Sequence, residues 1–163
     1  MHRWRSVFLA LVFTAFPALC HAGGKAGDAA AVSFHIETEG NENPKMVAPF
    51  DVGGQQRFFR RMPEVSMKDF SAFSPFPSDD GQTYGVVFQL KAAANRRLSA
   101  ITQVNQGKML IAQVNGRVVD AVIIDKPVND GLIVIWKGIT DAEIKQYDKV
   151  APRIGAEDKK KKR

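Results

Sequence analysis

Few side chains in this sequence are equipped for chemistry, and their positions narrow the choice further. The chain has 163 residues, one cysteine and three histidines. Cys20, His2 and His21 all fall in the first 22 residues, so His35 is the sole histidine beyond them. A nucleophile–histidine triad or a multi-histidine metal site is therefore hard to assemble. Carboxylates remain: Asp69, Asp79, Asp80, Asp120, Asp125 and Asp130. Two suitably placed acids suffice for some hydrolases. Four of these, Asp79, Asp80, Asp125 and Asp130, adjoin turn residues, where aspartate ordinarily serves the backbone. Asp120 interrupts an apolar strand and is expected on its solvent side. A catalytic Asp120 would instead be buried, with a raised pKa, beside a pocket. His35 lies on the polar side of a strand with Glu37 two residues on, and solvent exposure explains it more simply than a proton relay. No catalytic group, cofactor or metal is expected, and the chain reads as a non-enzyme.

The elements that would position these residues begin after a leader. Met1 to Ser6 is short and basic, Val7 to Phe16 is apolar but for Thr14, and Cys20-His21-Ala22 offers a small-residue cleavage point. That is a secretory signal pattern, residues 1–22, with an uncleaved anchor as the alternative. The apolar run is about half the ~20 residues that span a bilayer. Leu19 before Cys20 does not favour lipid attachment. No later segment reads as a membrane span, and the localisation expected is periplasmic or secreted.

Charge is concentrated at the other end. The formal net charge is +6, of which Arg3 and Arg5 supply two. Arg153 to Arg163 holds six cations against Glu157 and Asp158, a net of +4. Residues 23–152 are thus near neutral, and nucleic acid is not an expected partner. Residues 153–163 read as a disordered basic tail. Lys159, Lys160, Lys161, Lys162 and Arg163 are candidates for contact with an anionic envelope surface, or simply a solvated terminus.

Between a flexible lead-in (23–30) and the tail, residues 31–152 read as one domain. Val32, Phe34 and Ile36 alternate with Ser33, His35 and Glu37, a half-buried strand. Glu39 to Pro49 reads as a loop. Val52-Gly-Gly-Gln55 reads as a hairpin turn into a strand over 55–62. No phosphate-loop lysine or glycine frame accompanies that Gly pair. Ser74 to Gly81 reads as a loop. Phe70, Phe73 and Phe76 fall three apart, which suggests one buried face, or an exposed aromatic patch if the loop stands away from the core. With Phe58 and Arg60 of Phe58-Phe59-Arg60-Arg61, they are the candidate partner-binding residues.

The second half is more regular. Tyr84 to Leu90 is a strand. Ala92 to Gln106 is a helix with Ala94, Leu98, Ile101 and Asn105 on one face, closed by Gly107. Lys108 to Val114 is apolar on both sides, as a central strand must be. Asn115-Gly116 predicts a type I′ hairpin into Arg117 to Ile124. Leu132 to Trp136 reads as a buried strand, and Thr140-Asp-Ala-Glu143 as a capping box opening a helix that ends before Pro152. The fold class expected is α+β: an antiparallel or mixed sheet with two helices mainly on one face.

One run of motifs resembles a known family. Lys68-Asp69-Phe70, the Val-rich strand and helix, Gly107-Lys-Met-Leu-Ile-Ala, the Asn-Gly turn, Val118-Val-Asp-Ala-Val-Ile, Asp130-Gly131…Ile135 and Gly138-Ile-Thr-Asp-Ala-Glu follow one another in the order of the first periplasmic (head) region of the protein-export subunit SecD. The similarity covers residues 64 to 146. Departures are Asn115 where the family often has Asp, Asp120 near a small residue, and Ala121-Val122 where Pro often follows. SecD continues into membrane helices driven by the proton gradient, and this sequence has no such run. The resemblance implies a shared domain fold and contact with polypeptide or an envelope protein, without proton-driven translocation. A binding module is the leading expectation. A small carboxylate hydrolase and a structural envelope protein held by its tail are the alternatives.

Overall fold

A computed structural model describes residues 31–40 and 43–156. The expected leader, lead-in and Lys159 to Arg163 lie outside the described residues. In chain order the elements are β1 (Val32–Ile36), β2 (Val47–Val52), β3 (Gln55–Arg60), β4 (Val65–Ser66), a 3-10 turn (Met67–Asp69), β5 (Phe70–Pro77), β6 (Tyr84–Leu90), α1 (Ala92–Val104), β7 (Met109–Val114), β8 (Arg117–Ile123), β9 (Leu132–Ile139) and α2 (Asp141–Val150). The strands form a four-stranded sheet, β4-β1-β7-β8, a three-stranded sheet, β5-β6-β9, and the hairpin β2-β3. Every pairing between named strands is antiparallel. The α+β architecture expected from the sequence is the one observed. Both helices feed one core, α1 through Ala94 and Leu98 and α2 through Ile144 and Tyr147.

Strand β7 is central and buried on both faces, as its unbroken apolar run requires. Leu110, Ala112 and Val114 enter the main core with Val32, Phe34 and Ile36 of β1. Ile111 and Gln113 face the other way and are buried as well. On that second face the register sets His35 opposite Ile111. The hairpin β2-β3 covers it, with Phe59 fully buried and Val47 and Ala48 nearly so. Phe59 of β3 bridges to Glu37, and the Thr38 amide bonds the Phe58 carbonyl at 2.8 Å.

That cover overturns the solvent-facing placement of His35, which is only 7% exposed. Nδ1 lies 2.8 Å from the Arg60 carbonyl and Nε2 2.9 Å from the Ser33 hydroxyl. A carbonyl only accepts, so Nδ1 donates and neutral Nε2 accepts from Ser33. Burial pulls the His35 pKa below 6.5, against the opposing pull of the Arg60 carbonyl and Glu64.

Other boundaries move for identifiable reasons. β2 begins at Val47, inside the expected loop, and contains Pro49; a hairpin strand with a free outer edge tolerates the missing amide. β5 runs to Pro77 through the first half of the segment expected to be a loop, because β6 pairs with it from Ala72 onward. α1 stops at Val104, where the Asn105 side-chain amide bonds the Ile101 carbonyl. Arg153 and Ile154, read from the sequence as part of the tail, are tied to the domain. The Phe73 amide bonds the Pro152 carbonyl, the Ile154 amide bonds the Phe73 carbonyl, and the Arg153 guanidinium pairs with Asp148 and lies 4.6 Å from the Phe73 ring centroid.

The two expected turn devices are present and are linked. Asn115 and Gly116 have φ of 52° and 78°, the left-handed pair that a type I′ turn needs. Thr140 accepts from the Glu143 amide at 3.3 Å, and Glu143 accepts from the Thr140 amide at 2.8 Å, closing the capping box. Glu143 also receives Arg117 Nη2 at 3.2 Å and Asn115 Nδ2 at 3.4 Å. One buried carboxylate thereby ties the hairpin tip to the start of α2.

Two measurements test these contacts. Glu143→Ala should lower stability by about 1–2 kcal/mol in urea unfolding, because the cap of α2 and its bonds to Arg117 and Asn115 are lost together. Lys145→Ala, which breaks only an exposed pair with Asp141, should leave the midpoint unchanged. For His35 the folded pKa lies below the unfolded value, so the unfolded state binds more protons as pH falls. Stability should be level above about pH 6.5 and decline below it. Comparing urea midpoints at neutral and mildly acidic pH in the parent and in His35→Asn checks this; the variant should lose that slope.

Candidate functional site

The face of the three-stranded sheet turned away from the core is apolar and partly open. Inward residues alternate regularly: Val86 and Phe88 of β6, Ile133 and Ile135 of β9. Their neighbours Val87, Leu132 and Val134 therefore point outward, paired as Val87↔Val134 and Gln89↔Leu132. Trp136, expected in a buried strand, is 58% exposed. β9 is half-buried, because no described element covers its outer side. The Trp136 ring meets Phe76 edge to face, centroids 6.1 Å apart. Phe76 lies directly over Gly85, where an added Cβ would collide with the ring and come within 2.7 Å of the Trp136 carbonyl. Glycine there is what lets the Phe76 ring approach the sheet this closely.

Asp120 fixes this face from behind. It is half-buried rather than simply solvent-facing, and both of its oxygens are engaged by backbone amides. Its Oδ1 accepts from the Ala121 amide at 2.9 Å and its Oδ2 from the Trp136 amide at 2.7 Å. The two larger sheets meet along β8 and β9 without a ladder, and Asp120 substitutes for one. Arg117 adds a bond to the Gly138 carbonyl, and the Gly138 amide donates to Thr83. The crevice along this seam is about 20 Å³, room for roughly one water and no ligand. Two of the turn carboxylates are likewise occupied: Asp80 holds the amides of Gln82 and Thr83, and Asp130 that of Leu132.

The candidate partner-binding residues separate. Phe70 and Phe73 are buried in the core, Phe70 stacked on Phe88 at 4.3 Å and Phe73 edge-on to Tyr147 at 5.7 Å. They cannot touch a partner. A bulge between Phe70 and Ala72 puts both on the inner face despite their odd spacing, and sends Phe76 to the outer one. Phe58 packs against Gly40, where an added Cβ would come within 2.7 Å of the ring. Arg60 lies at the rim of a separate cleft, paired with Glu64 at 3.2 Å. Sequence reasoning missed Trp136, Leu132 and Val87. Alternation alone could have marked them as outward, but not as uncovered.

Sheet edges are mostly closed. The Pro152–Ile154 segment lies along β5, β8 and β9 face each other across the seam, and β4 is two residues long. β2 keeps a free edge, blunted by Pro49. Among the described residues no helix is long and apolar enough to cross a membrane.

Comparison with known proteins bears on this arrangement. Neither a scan of family models nor a search of curated proteins finds a match. Among solved structures, one of SecDF, described as a membrane component that enhances protein export, aligns with a TM-score of 0.51 at 19% identity over 74% of this chain and 61% of that one. A second, SecDF in a super-membrane-facing form, aligns with a TM-score of 0.53 at 18% identity over 76% of this chain and 19% of that one. The chain thus spans about three fifths of the first and one fifth of the second. The resemblance read from the motifs holds at the level of fold: about three quarters of this chain shares the architecture of a domain-sized part of SecDF.

Proposed function

We propose that this chain is an exported, non-catalytic binding module of the periplasm that holds polypeptide against the outer face of its three-stranded sheet. The observation that carries the proposal is the Trp136–Phe76 pair, an exposed indole against a half-buried phenyl ring, set beside exposed Leu132 and half-buried Val87 and Val134. Exposed aromatic anchors on a rigid sheet are the usual centres of binding energy. Contiguous apolar surface of this kind marks interaction sites. The fold shared with SecDF, a component that enhances protein export, supports an unfolded or partly folded polypeptide as the class of partner. Contact is face-on rather than by strand addition, since the free strand edge, that of β2, is blunted by Pro49.

The test is binding of a permanently unfolded polypeptide to the full-length chain, followed by fluorescence anisotropy. Trp136→Ser should weaken binding about tenfold or more, with little change in melting temperature because the indole is largely exposed. Equal binding by parent and folded variant, or no binding by the parent, would remove the proposal.

A further inference from the structure

A second recess lies away from that face, and its charge is arranged unevenly. It is a cleft of about 660 Å³ whose polar lining includes Arg60, Glu64, Lys68, Asp69 and Arg97. That volume is within the roughly 300–1,000 Å³ of ligand pockets. The acids sit deep: the Glu64 and Asp69 side chains are 12% and 14% exposed, against 42% and 43% for Arg60 and Arg97. Each acid holds one guanidinium, Glu64 to Arg60 at 3.2 Å and Asp69 to Arg97 at 3.0 Å. Asp69 is further held by the Ser66 amide at 2.9 Å. Burial works to raise its pKa, but the Ser66 amide and the Arg97 guanidinium together keep it below 3.8. Both acids are thereby used up beneath the opening, and the cations face out.

Donors are left over there. Among the described residues the Arg60 guanidinium bonds through Nη1 alone, and that of Arg97 bonds through Nε to the Glu64 carbonyl and through Nη2 to Asp69. Lys68 is exposed, and its ammonium has no partner among the described residues. The walls include two exposed, adaptable thioethers, Met46 and Met62. Spare fork-shaped donors between flexible thioethers match a carboxylate set among apolar side chains.

We propose that this cleft binds acidic residues flanked by apolar ones in a polypeptide, the carboxylate meeting Arg60, Lys68 and Arg97 and the flanks meeting Met46 and Met62. The proposal rests on the polypeptide-binding reading above and adds a sequence preference at a second surface. An extended chain lying along the molecule would then be selected by charge here and held by aromatic contact there.

The experiment uses the full-length chain and two short labelled peptides, one with Glu between Leu and Val residues, the other with Gln in place of Glu. The acidic peptide should bind about tenfold tighter, and added salt should erode that advantage. Lys68→Gln, which breaks no pair in the fold, and Arg60→Gln should each shrink the preference severalfold, while Trp136→Ser should leave the ratio of the two affinities unchanged. Equal affinity for the two peptides would overturn the cleft proposal while leaving polypeptide binding intact. Failure of both peptides and of the unfolded polypeptide would overturn both. Displacement of the acidic peptide by inorganic phosphate at equal concentration would also overturn it, by showing a site for free anions.

Discussion

The arrangement of this domain depends on a seam that has no strand ladder. β8 and β9 close the two larger sheets against each other, yet their backbones are joined by side chains: Asp120 to the Trp136 amide and Arg117 to the Gly138 carbonyl. Both bonds lie near the surface, so they align the two edges rather than satisfy buried groups. Asp120 thereby sets where Trp136 stands. The aromatic pair on the outer face is positioned by a carboxylate on the neighbouring sheet.

Glu143 has the corresponding role at the other end of β8. It caps α2, receives Arg117 and Asn115, and so couples the tip of the β7-β8 hairpin to the helix that follows β9. Asn115 also accepts the Ala31 amide at 3.0 Å, which brings the entry of β1 into the same cluster. Tyr147, one turn further along α2, is fully buried beside Phe73 and Phe88. Burial, with Glu143 nearby, pushes its phenol well above the ordinary tyrosine range, so it acts as a wedge of the core rather than as an acid or base.

The hairpin β2-β3 has a different dependence. It makes a satellite core over β1 and β7, with buried His35 beneath it and the Arg60 carbonyl as the point of attachment. The same hairpin and the segments flanking it supply Met46, Arg60 and Met62 to the cleft. Stability of the cover and the shape of the cleft are therefore linked through a single residue, Arg60, whose carbonyl faces inward and whose guanidinium faces out.

Much of the fold was legible because its signals are short-range. The positive φ demanded of Asn115-Gly116, the Thr140–Glu143 box and the two-sided apolar run of β7 act within a few residues, and each appears where the residues place it. Alternation likewise identified β1. What the sequence could not decide is which faces other elements cover. His35 lies on a polar stripe but is buried by the β2-β3 hairpin, whose docking on β1 the alternation of β1 does not report. Trp136 lies in an apolar run but is bare, because no described element crosses its side of the sheet. A one-residue bulge moved Phe70 and Phe73 inward and Phe76 outward, and the cleft is assembled from residues 46, 60 to 69 and 97. The sequence by itself determined the elements, their turns and their caps, through contacts of neighbouring residues. Only the tertiary structure decided exposure, because exposure depends on distant surfaces that no local pattern encodes.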